Sequence, residues 1–213
     1  MHILHLAQYV VNTFSQPFGI AALGREGMTP MKLQKVLYYI KAWSLVEGKD
    51  LVDGDFERWP FGPVNAEVYS TYKKYGAQPI PYSFLPFEPN EDDRPLLDFI
   101  GNVYAMFSAI DLSVMTHQED PWKQAQPSAK ILPEKILDYY RKQNFARNFP
   151  FDPVSKPFYP VQSPIKDSFV FDMSMADREK VQALQVYPSY QYYVEHLQRS
   201  SKDFEEAFSL LFK

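Results

Sequence analysis

The fold of this chain is decided by one stretch, Thr29-Pro-Met-Lys-Leu-Gln-Lys-Val-Leu-Tyr-Tyr-Ile-Lys-Ala-Trp43. Thr29 is a good N-cap residue, and proline is tolerated at the first helical position because its missing N–H has no partner there. Apolar residues follow at helical spacing: Leu33, Val36, Leu37, Ile40 and Trp43. Because the helix is more apolar than a surface helix needs to be, we predict that it is central and ends at Gly48. Its lysines, Lys32 and Lys35, are predicted to be solvated.

The residues after this helix predict a β-hairpin and then a tight corner. Two short apolar runs, 51–52 and 56–59, stand on either side of Asp53-Gly54, and an Asp-Gly pair in that position is a hairpin signal. Pro60-Phe61-Gly62-Pro63 follows and is predicted to be a non-helical corner. Gln34 and Tyr38 are candidates to hydrogen-bond across to this corner.

Helical spacing is present on both sides of this region. Helices are predicted over residues 3–14, 64–75, 96–107, from the Ser108 cap to Met115, after the Asp120-Pro121 cap, and over 131–143. The sequence therefore predicts a mainly α-helical fold, a compact multi-helix domain with one short β-hairpin.

The composition changes near Asn144. Five prolines stand three or four residues apart within residues 145–172, and this spacing forbids a regular helix. We predict a first domain over 1–145, followed over 146–213 by a Pro-rich extended arm and C-terminal helices. The arm includes one strand at 169–171, and the helices cover 175–186 and the residues from Tyr190 onward. This second part is expected to pack on the first domain or on a partner.

Composition limits the possible functions. The net charge is −4 and no basic stripe is present, so direct nucleic-acid binding is not expected. Cysteine is absent, which fits a reducing cytosol, and neither a signal peptide nor an apolar run of about 20 residues is recognised. We therefore expect a cytoplasmic protein that does not enter membranes. Aromatic residues make up 16% of the chain, a surplus that suits interfaces as well as cores.

Two places carry residues that are typical of catalysis or metal binding. His117 stands near Asp111, Glu119 and Asp120, so a small hydrolase is one alternative, but local hydrogen bonding at a helix start is the favoured interpretation. His2 and His5 lie three residues apart, which is a weak metal signal. Phosphate-binding, dinucleotide-binding and nucleophile-elbow motifs are missing from the sequence. We predict no catalytic residue, no cofactor and no metal, and hence no enzyme.

Three segments, in order, resemble the Panacea domain family, which includes SocA-like and phage-associated GepA-like proteins. They are Met28-Thr-Pro-Met-Lys-Leu-Gln-Lys-Val-Leu-Tyr-Tyr39 continued to Trp43, Phe56-Glu-Arg-Trp-Pro-Phe-Gly-Pro-Val64, and Leu112-Ser-Val-Met-Thr-His-Gln-Glu-Asp-Pro-Trp-Lys123. Phe61 replaces a tyrosine of the family pattern, and Ile40-Lys41 replaces a pair of smaller residues. The resemblance covers about residues 1–145.

The resemblance implies a mostly helical antitoxin that neutralises a toxin by direct protein contact. The cognate toxin is expected from an adjacent gene, and a homodimer is possible. SocA-like members instead act as adaptors that deliver a toxin to a protease, so an adaptor is an alternative. Another is a phage or prophage protein that interferes with a host system. The family implies no catalytic residue for this chain.

Twelve residues are candidates for a motif or partner-binding cluster. Nine come from the shared motifs, where mutual hydrogen bonding and packing is the favoured interpretation and partner contact the alternative. Three come from the apolar stripe of the last predicted helix, which needs a partner surface. The candidates are Gln34, Tyr38, Trp43, Trp59, Phe61, Gly62, Pro63, His117, Trp122, Tyr190, Leu197 and Phe204.

Overall fold

The computed structural model describes residues 1–15, 27–82, 87–152, 154 and 157–161. The chain separates into two compact units, Met1–Lys142 and Gln143–Lys213. The strand predicted at 169–171 and the C-terminal helices, with Tyr190, Leu197 and Phe204, lie outside the described residues. The domain boundary predicted at residue 145 stays a prediction.

The described part of the first unit is mainly α-helical, as predicted, and contains seven α-helices. Their bounds are α1 Ile3–Phe14, α2 Pro30–Val46, α3 Ala66–Tyr72, α4 Arg94–Ala105, α5 Ala109–Gln118, α6 Asp120–Gln124 and α7 Pro133–Tyr140. A 3-10 turn, Lys73–Tyr75, continues α3. Two predicted caps are confirmed. The Thr29 hydroxyl accepts from the Lys32 amide, and Ser108 forms a reciprocal capping box with Asp111.

Helix α2 is the centre of this unit. It packs against α1, α4, α5 and α7, and thirteen of its residues are buried. The central position predicted from its apolar composition is confirmed. Because the helix is enclosed on nearly every face, its polar residues are buried too, and each needs a partner inside the protein.

A small antiparallel sheet lies beside α2. Its strands are β1 Phe56–Trp59, β2 Gly62–Val64 and β3 Lys130–Ile131, in the order β2-β1-β3. The predicted hairpin exists, but its predicted turn was wrong: β1 pairs with β2 and turns at Pro60-Phe61 rather than at Asp53-Gly54. Asp53 instead forms a parallel bridge with His2, and its amide donates a hydrogen bond to the Met1 carbonyl. The first residues of the chain therefore pair with the segment that was predicted to turn.

Two helix starts differ from the prediction because of the sheet. The helix predicted from residue 64 begins at Ala66, since Val64 pairs with Glu57 and Asn65 provides the N-cap. The helix predicted from residue 131 begins at Pro133, since Ile131 pairs with Phe56. Both differences come from strand pairing, with a near segment for Val64 and a distant one for Ile131, and helical periodicity does not reveal such pairing.

The second unit is described over its first residues. A 3-10 turn, Asn144–Asn148, is held by the Asn148 side chain, whose Nδ2 donates to the Phe145 and Tyr159 carbonyls at 2.8 and 2.7 Å. The Tyr159 amide donates back to Asn148 Oδ1 at 2.8 Å, and the Arg147 guanidinium lies 3.8 Å from the centre of the Tyr159 ring. The start of the Pro-rich arm is thus tied to this turn by paired hydrogen bonds.

Among the described residues, no single helix is long and apolar enough to cross a membrane. Helices α4 and α5 satisfy length and composition only as a pair, across a bend of 100°.

Candidate partner-binding corner

Residues 59–63 form a tight corner between β1 and β2. Gly62 adopts a φ of +103°, a conformation that favours glycine. A Cβ atom at this position would lie 2.6 Å from Thr116 Oγ1 and 2.8 Å from Lys35 Nζ. The missing side chain therefore makes room for the end of a buried lysine, and the corner closes directly over α2 and α5.

Four carbonyl oxygens of the corner each accept a hydrogen bond from a different side chain. We call these side chains the corner donors: Lys35 from α2, Ser113 and His117 from α5, and Trp122 from α6. Their bonds are Trp122 Nε1 to Trp59 O at 3.1 Å, His117 Nε2 to Pro60 O at 2.8 Å, Ser113 Oγ to Phe61 O at 3.0 Å, and Lys35 Nζ to Pro63 O at 2.9 Å. The corner is therefore fixed by its surroundings as well as by its own prolines.

His117 makes its two contacts through both ring nitrogens. Nε2 faces the Pro60 carbonyl, and Nδ1 lies 2.5 Å from the carbonyl of Ser113. A carbonyl only accepts hydrogen bonds and a neutral imidazole has one N–H, so only the protonated ring donates to both. The ring packs against Trp122 at 4.1 Å between centroids, and the Arg58 guanidinium lies 4.5 Å from the Trp122 ring centre.

Two of the three carboxylates considered as partners of His117 make other contacts. Asp111 completes the capping box with Ser108, and Glu119 accepts from two tyrosines in the core. The described residues contain no ion pair between His117 and a carboxylate. This geometry matches the local hydrogen bonding that the sequence favoured over an acid–base pair.

Lys35 is buried, with 1% of its surface exposed. Its predicted solvation was wrong, as was that of Lys32, because α2 is enclosed on the faces that carry them. Burial lowers the pKa of Lys35 to about 7, and no acidic group in the part of the chain that the structure describes offsets that effect. Lys41, also buried on α2, differs: it pairs with Asp50 and donates to the Val52 carbonyl at 2.7 Å.

Gln34 links α2 to the residue after β2. Its Oε1 accepts from the Asn65 amide at 2.8 Å, and its Nε2 donates to the Asn65 carbonyl at 3.1 Å. The Asn65 side chain in turn accepts from the Val68 amide and caps α3. The side chain of Gln34 therefore pairs with the backbone as a neighbouring strand would, two residues beyond the predicted contact with the corner.

Tyr38 does not reach the corner. Its ring packs in the core against Phe56 and Tyr140, at centroid distances of 5.4 and 6.2 Å. Its hydroxyl lies near that of Tyr140, but Tyr140 donates to Glu119, and the geometry between the two tyrosines is not that of a hydrogen bond. The predicted hydrogen bond from Tyr38 to the corner was wrong.

A buried carboxyl group, Glu119, lies at the centre of the aromatic core. It accepts from the Tyr39 hydroxyl at 2.8 Å and from the Tyr140 hydroxyl at 2.5 Å. Burial raises the pKa of Glu119 to about 7, against the opposite effect of these hydrogen bonds. Trp43 lies in the same core and donates to the Tyr104 hydroxyl at 2.6 Å. Glu119 thus joins the start of α6 to α2 and α7.

The outer side of the corner carries exposed apolar side chains. Phe61 is 71% exposed and Ile110 is 64% exposed, while Tyr69 and Val114 are less so. The Trp59 ring packs on Tyr69 at 4.9 Å, and Ile110 and Val114 belong to the part of α5 that carries Ser113, the donor to Phe61. We call Trp59, Phe61, Tyr69, Ile110 and Val114 the corner surface.

One protein family matches the part of the chain that contains the corner. Residues 33–123 match the family described as "Antitoxin SocA-like, Panacea domain". These residues are similar to the Panacea domain of that family, and we call them the matched region. No curated protein and no solved structure matches the chain. The matched residues run from the first turn of α2 through the corner and α5 to α6, so they include all four corner donors and the whole corner surface.

Within the matched region the structure divides the predicted cluster into two sets. Trp59, Phe61, Gly62, Pro63, His117 and Trp122 meet at the corner, with Gln34 beside it. Tyr38 and Trp43 lie in the aromatic core instead. Of these nine residues, only Phe61 is exposed, and the other eight are buried or partly buried.

Sequence reasoning missed several residues that make hydrogen bonds in and beside the matched region. Lys35, Ser113, Asn65, Glu119, Tyr39 and Tyr140 all make buried or part-buried hydrogen bonds between segments far apart in sequence. Four of them lie inside the three motifs, and this was the available signal for Lys35, Tyr39, Ser113 and Glu119, because a polar residue within an apolar helical stripe needs an internal partner.

The N-terminal histidines border a separate groove of about 540 Å³ between α1 and the residues after α3. His5 stacks on Phe87 at 4.8 Å, and His2 Nε2 lies 3.7 Å from Glu67 Oε1. The described residues contain no group of three or more histidine or acidic side chains placed to hold a metal ion.

Proposed function

We propose that this protein is an antitoxin that neutralises a cognate toxin by direct contact, and that it acts by binding rather than by catalysis. The observation that carries the proposal is the Panacea match over residues 33–123, which contains an exposed apolar surface on a fixed backbone corner. We expect the toxin to be encoded by an adjacent gene and the two proteins to meet in the cytoplasm.

The corner surface has the chemistry of a binding site. Aromatic and aliphatic side chains supply most of the binding free energy at protein interfaces, through a few central anchors. Phe61 is the most exposed large apolar residue of the corner, and four hydrogen bonds hold the backbone that bears it. Neutralisation then follows from mass action, because a tight complex leaves little free toxin.

The proposal is tested by expressing the product of the adjacent gene alone and together with this chain. We expect the product alone to stop growth, co-expression to restore growth, and the two proteins to purify as a complex. Toxicity that is not relieved, or relief without a complex, would contradict direct neutralisation.

The adaptor alternative is favoured by the SocA-like description of the matching family. An adaptor needs a second surface for the protease, and it lowers the amount of toxin instead of blocking it. Following the toxin level after synthesis is stopped, in cells with and without each major protease, separates the two. A stable toxin level in the presence of this chain supports neutralisation, and protease-dependent loss supports the adaptor.

A further inference from the structure

We infer that the corner donors form a positioning device, which presents the ring of Phe61 as a preformed anchor to an apolar pocket on the toxin. The inference rests on the proposed function and adds the contact residue, the residues that position it, and the chemistry of the partner's site.

The corner carbonyls act as acceptors in these hydrogen bonds, and this limits the contacts that the corner can make with a partner. The carbonyls of Trp59, Pro60, Phe61 and Pro63 all accept hydrogen bonds from the corner donors of the same chain. Few backbone acceptors are left for a partner that would bind by adding a strand or by donating hydrogen bonds. Phe61 at the corner and Ile110, three residues before Ser113 on α5, are the most exposed residues of the corner surface, so we expect the complementary site to be a pocket lined by apolar groups.

Lys35 supports this inference because its burial is not explained by packing. Among the described residues its amine has one carbonyl acceptor and no acidic partner, and burial of such a group opposes folding. An apolar residue of similar length would fill the same space without that cost. What the amine adds is the bond to Pro63 O, which fixes one end of the corner. Residues that reduce stability while they define a local geometry are typical of functional sites.

A fixed anchor binds more tightly than a mobile one of the same chemistry. Ordering a side chain and its backbone on binding reduces the affinity, and a corner that is already ordered avoids that loss. Lys35, Ser113, His117 and Trp122 are therefore positioning residues, and Phe61 is the contact residue.

The first test compares two buried lysines of the same helix, with the product of the adjacent gene as the binding partner. Lys35→Met keeps the packing and removes the bond to Pro63, whereas Lys41→Met removes a buried ion pair away from the corner. At about pH 6, where Lys35 is charged in the fold, we expect Lys35→Met to unfold no earlier than wild type and to bind on the order of tenfold more weakly. Lys41→Met is expected to unfold earlier and to bind as wild type does.

If the role of Lys35 were purely structural, the affinity would fall only where the stability falls, in Lys35→Met as in Lys41→Met. If Lys35→Met binds as tightly as wild type, the positioning role is overturned. A measurement without the partner checks the same point: the NMR order parameters of the Phe61 and Gly62 amides are expected to fall in Lys35→Met and not in Lys41→Met. Unchanged order parameters in Lys35→Met would also overturn the role.

The second test addresses the contact itself. We expect Phe61→Ala to weaken binding on the order of 30-fold and Phe61→Leu to weaken it less, since both keep the backbone but only leucine keeps an apolar side chain of some size. Leu132→Ala is the matched control, because Leu132 is also an exposed apolar residue, at 48%, and lies outside the corner surface. It is expected to bind as wild type does.

The outcomes separate this inference from the proposed function. If wild type neither binds nor neutralises the adjacent gene product, the proposed function fails, and this inference fails with it. If wild type binds and Phe61→Ala binds equally well, the proposed function stands and the assignment of Phe61 is overturned.

Discussion

The corner buries the amine of Lys35 and the aromatic core buries the carboxyl group of Glu119, and the two groups have different surroundings. In the core, the Glu119 carboxyl receives two tyrosine hydroxyls from different helices, so its polar oxygens are satisfied. At the corner, the Lys35 amine has one backbone carbonyl. Burial brings the pKa of both groups to about 7, from opposite sides. The Glu119 carboxyl stabilises the fold, since its contacts join three helices. The Lys35 amine, as inferred above, fixes the geometry of a backbone turn.

Removal of the core carboxyl is expected to have the largest effect. Glu119→Ala leaves the hydroxyls of Tyr39 and Tyr140 without their acceptor and opens a cavity, so the free energy of unfolding should fall by about 4 kcal/mol. Glu119→Gln keeps one acceptor oxygen and should lose less. Urea unfolding of the three proteins measures this, and a loss below about 1 kcal/mol in Glu119→Ala would contradict the role of Glu119 as the link between helices.

The pH dependence of stability is expected to separate the two groups. The pKa of Glu119 rises from 4.5 to about 7 on folding, so the folded state binds more protons in that window and stability falls as the pH rises through it. The pKa of Lys35 falls from 10.5 to about 7, so the unfolded state binds more protons above pH 7 and stability rises with pH. Each group should contribute about 3 kcal/mol, for Lys35 between pH 7 and about 9.

Single variants show which group causes the decrease in unfolding free energy below pH 7 and which causes the increase above pH 7. Glu119→Gln should remove its share of the fall below pH 7 and leave the rise above pH 7. Lys35→Met should do the reverse. The measurement is the free energy of unfolding in urea at several pH values for the wild type and both variants. A decrease or increase that keeps its slope in the corresponding variant belongs to other groups, and the assignment to Glu119 or Lys35 would then be wrong.

The corner's dependence on Gly62 is testable against a second glycine. Gly62→Ala combines an unfavourable φ with a contact of 2.6 Å to Thr116 Oγ1, so we expect a loss of about 2–3 kcal/mol in unfolding free energy. Gly48 has a φ of +84° and no atom within 4 Å of the added Cβ, so Gly48→Ala should lose about 1 kcal/mol, from the backbone alone. Equal losses in the two variants would show that the close packing over Lys35 and Thr116 contributes nothing.

The smallest predicted effect is a gain in stability. The buried Tyr38 hydroxyl has no hydrogen bond of good geometry, so Tyr38→Phe removes an unsatisfied polar group at constant shape. We expect the free energy of unfolding to rise by about 1 kcal/mol, with no change in toxin binding. A lower midpoint of thermal or urea unfolding would mean that the Tyr38 hydroxyl has a partner and takes part in the hydrogen bonds around Glu119.

Part of the site followed from sequence patterns, and the reason is that those patterns report local structure. The two prolines around Phe61-Gly62 predicted a non-helical corner, and the three motifs placed Trp59, His117 and Trp122 in the same family pattern. The patterns did not show that Lys35 turns inward, because a lysine within a helix is solvated unless the neighbouring elements enclose it. They also placed Tyr38 at the corner, since helical spacing does not reveal which of two buried surfaces a side chain meets.

By itself, the sequence determined the elements that depend on nearest neighbours. Thr29 and Ser108 begin helices because a cap bonds to amides two or three residues away, and the apolar repeat of α2 makes its burial favourable wherever it packs. Only the tertiary structure decided which segments pair with β1, which carbonyl receives Lys35, and which tyrosines receive Glu119. The hydrogen-bond partners of Lys35 and Glu119 lie 21 to 80 residues away along the chain, the limits being Tyr140 and Tyr39 for Glu119. Their meeting depends on how whole helices pack around α2, which no local pattern encodes.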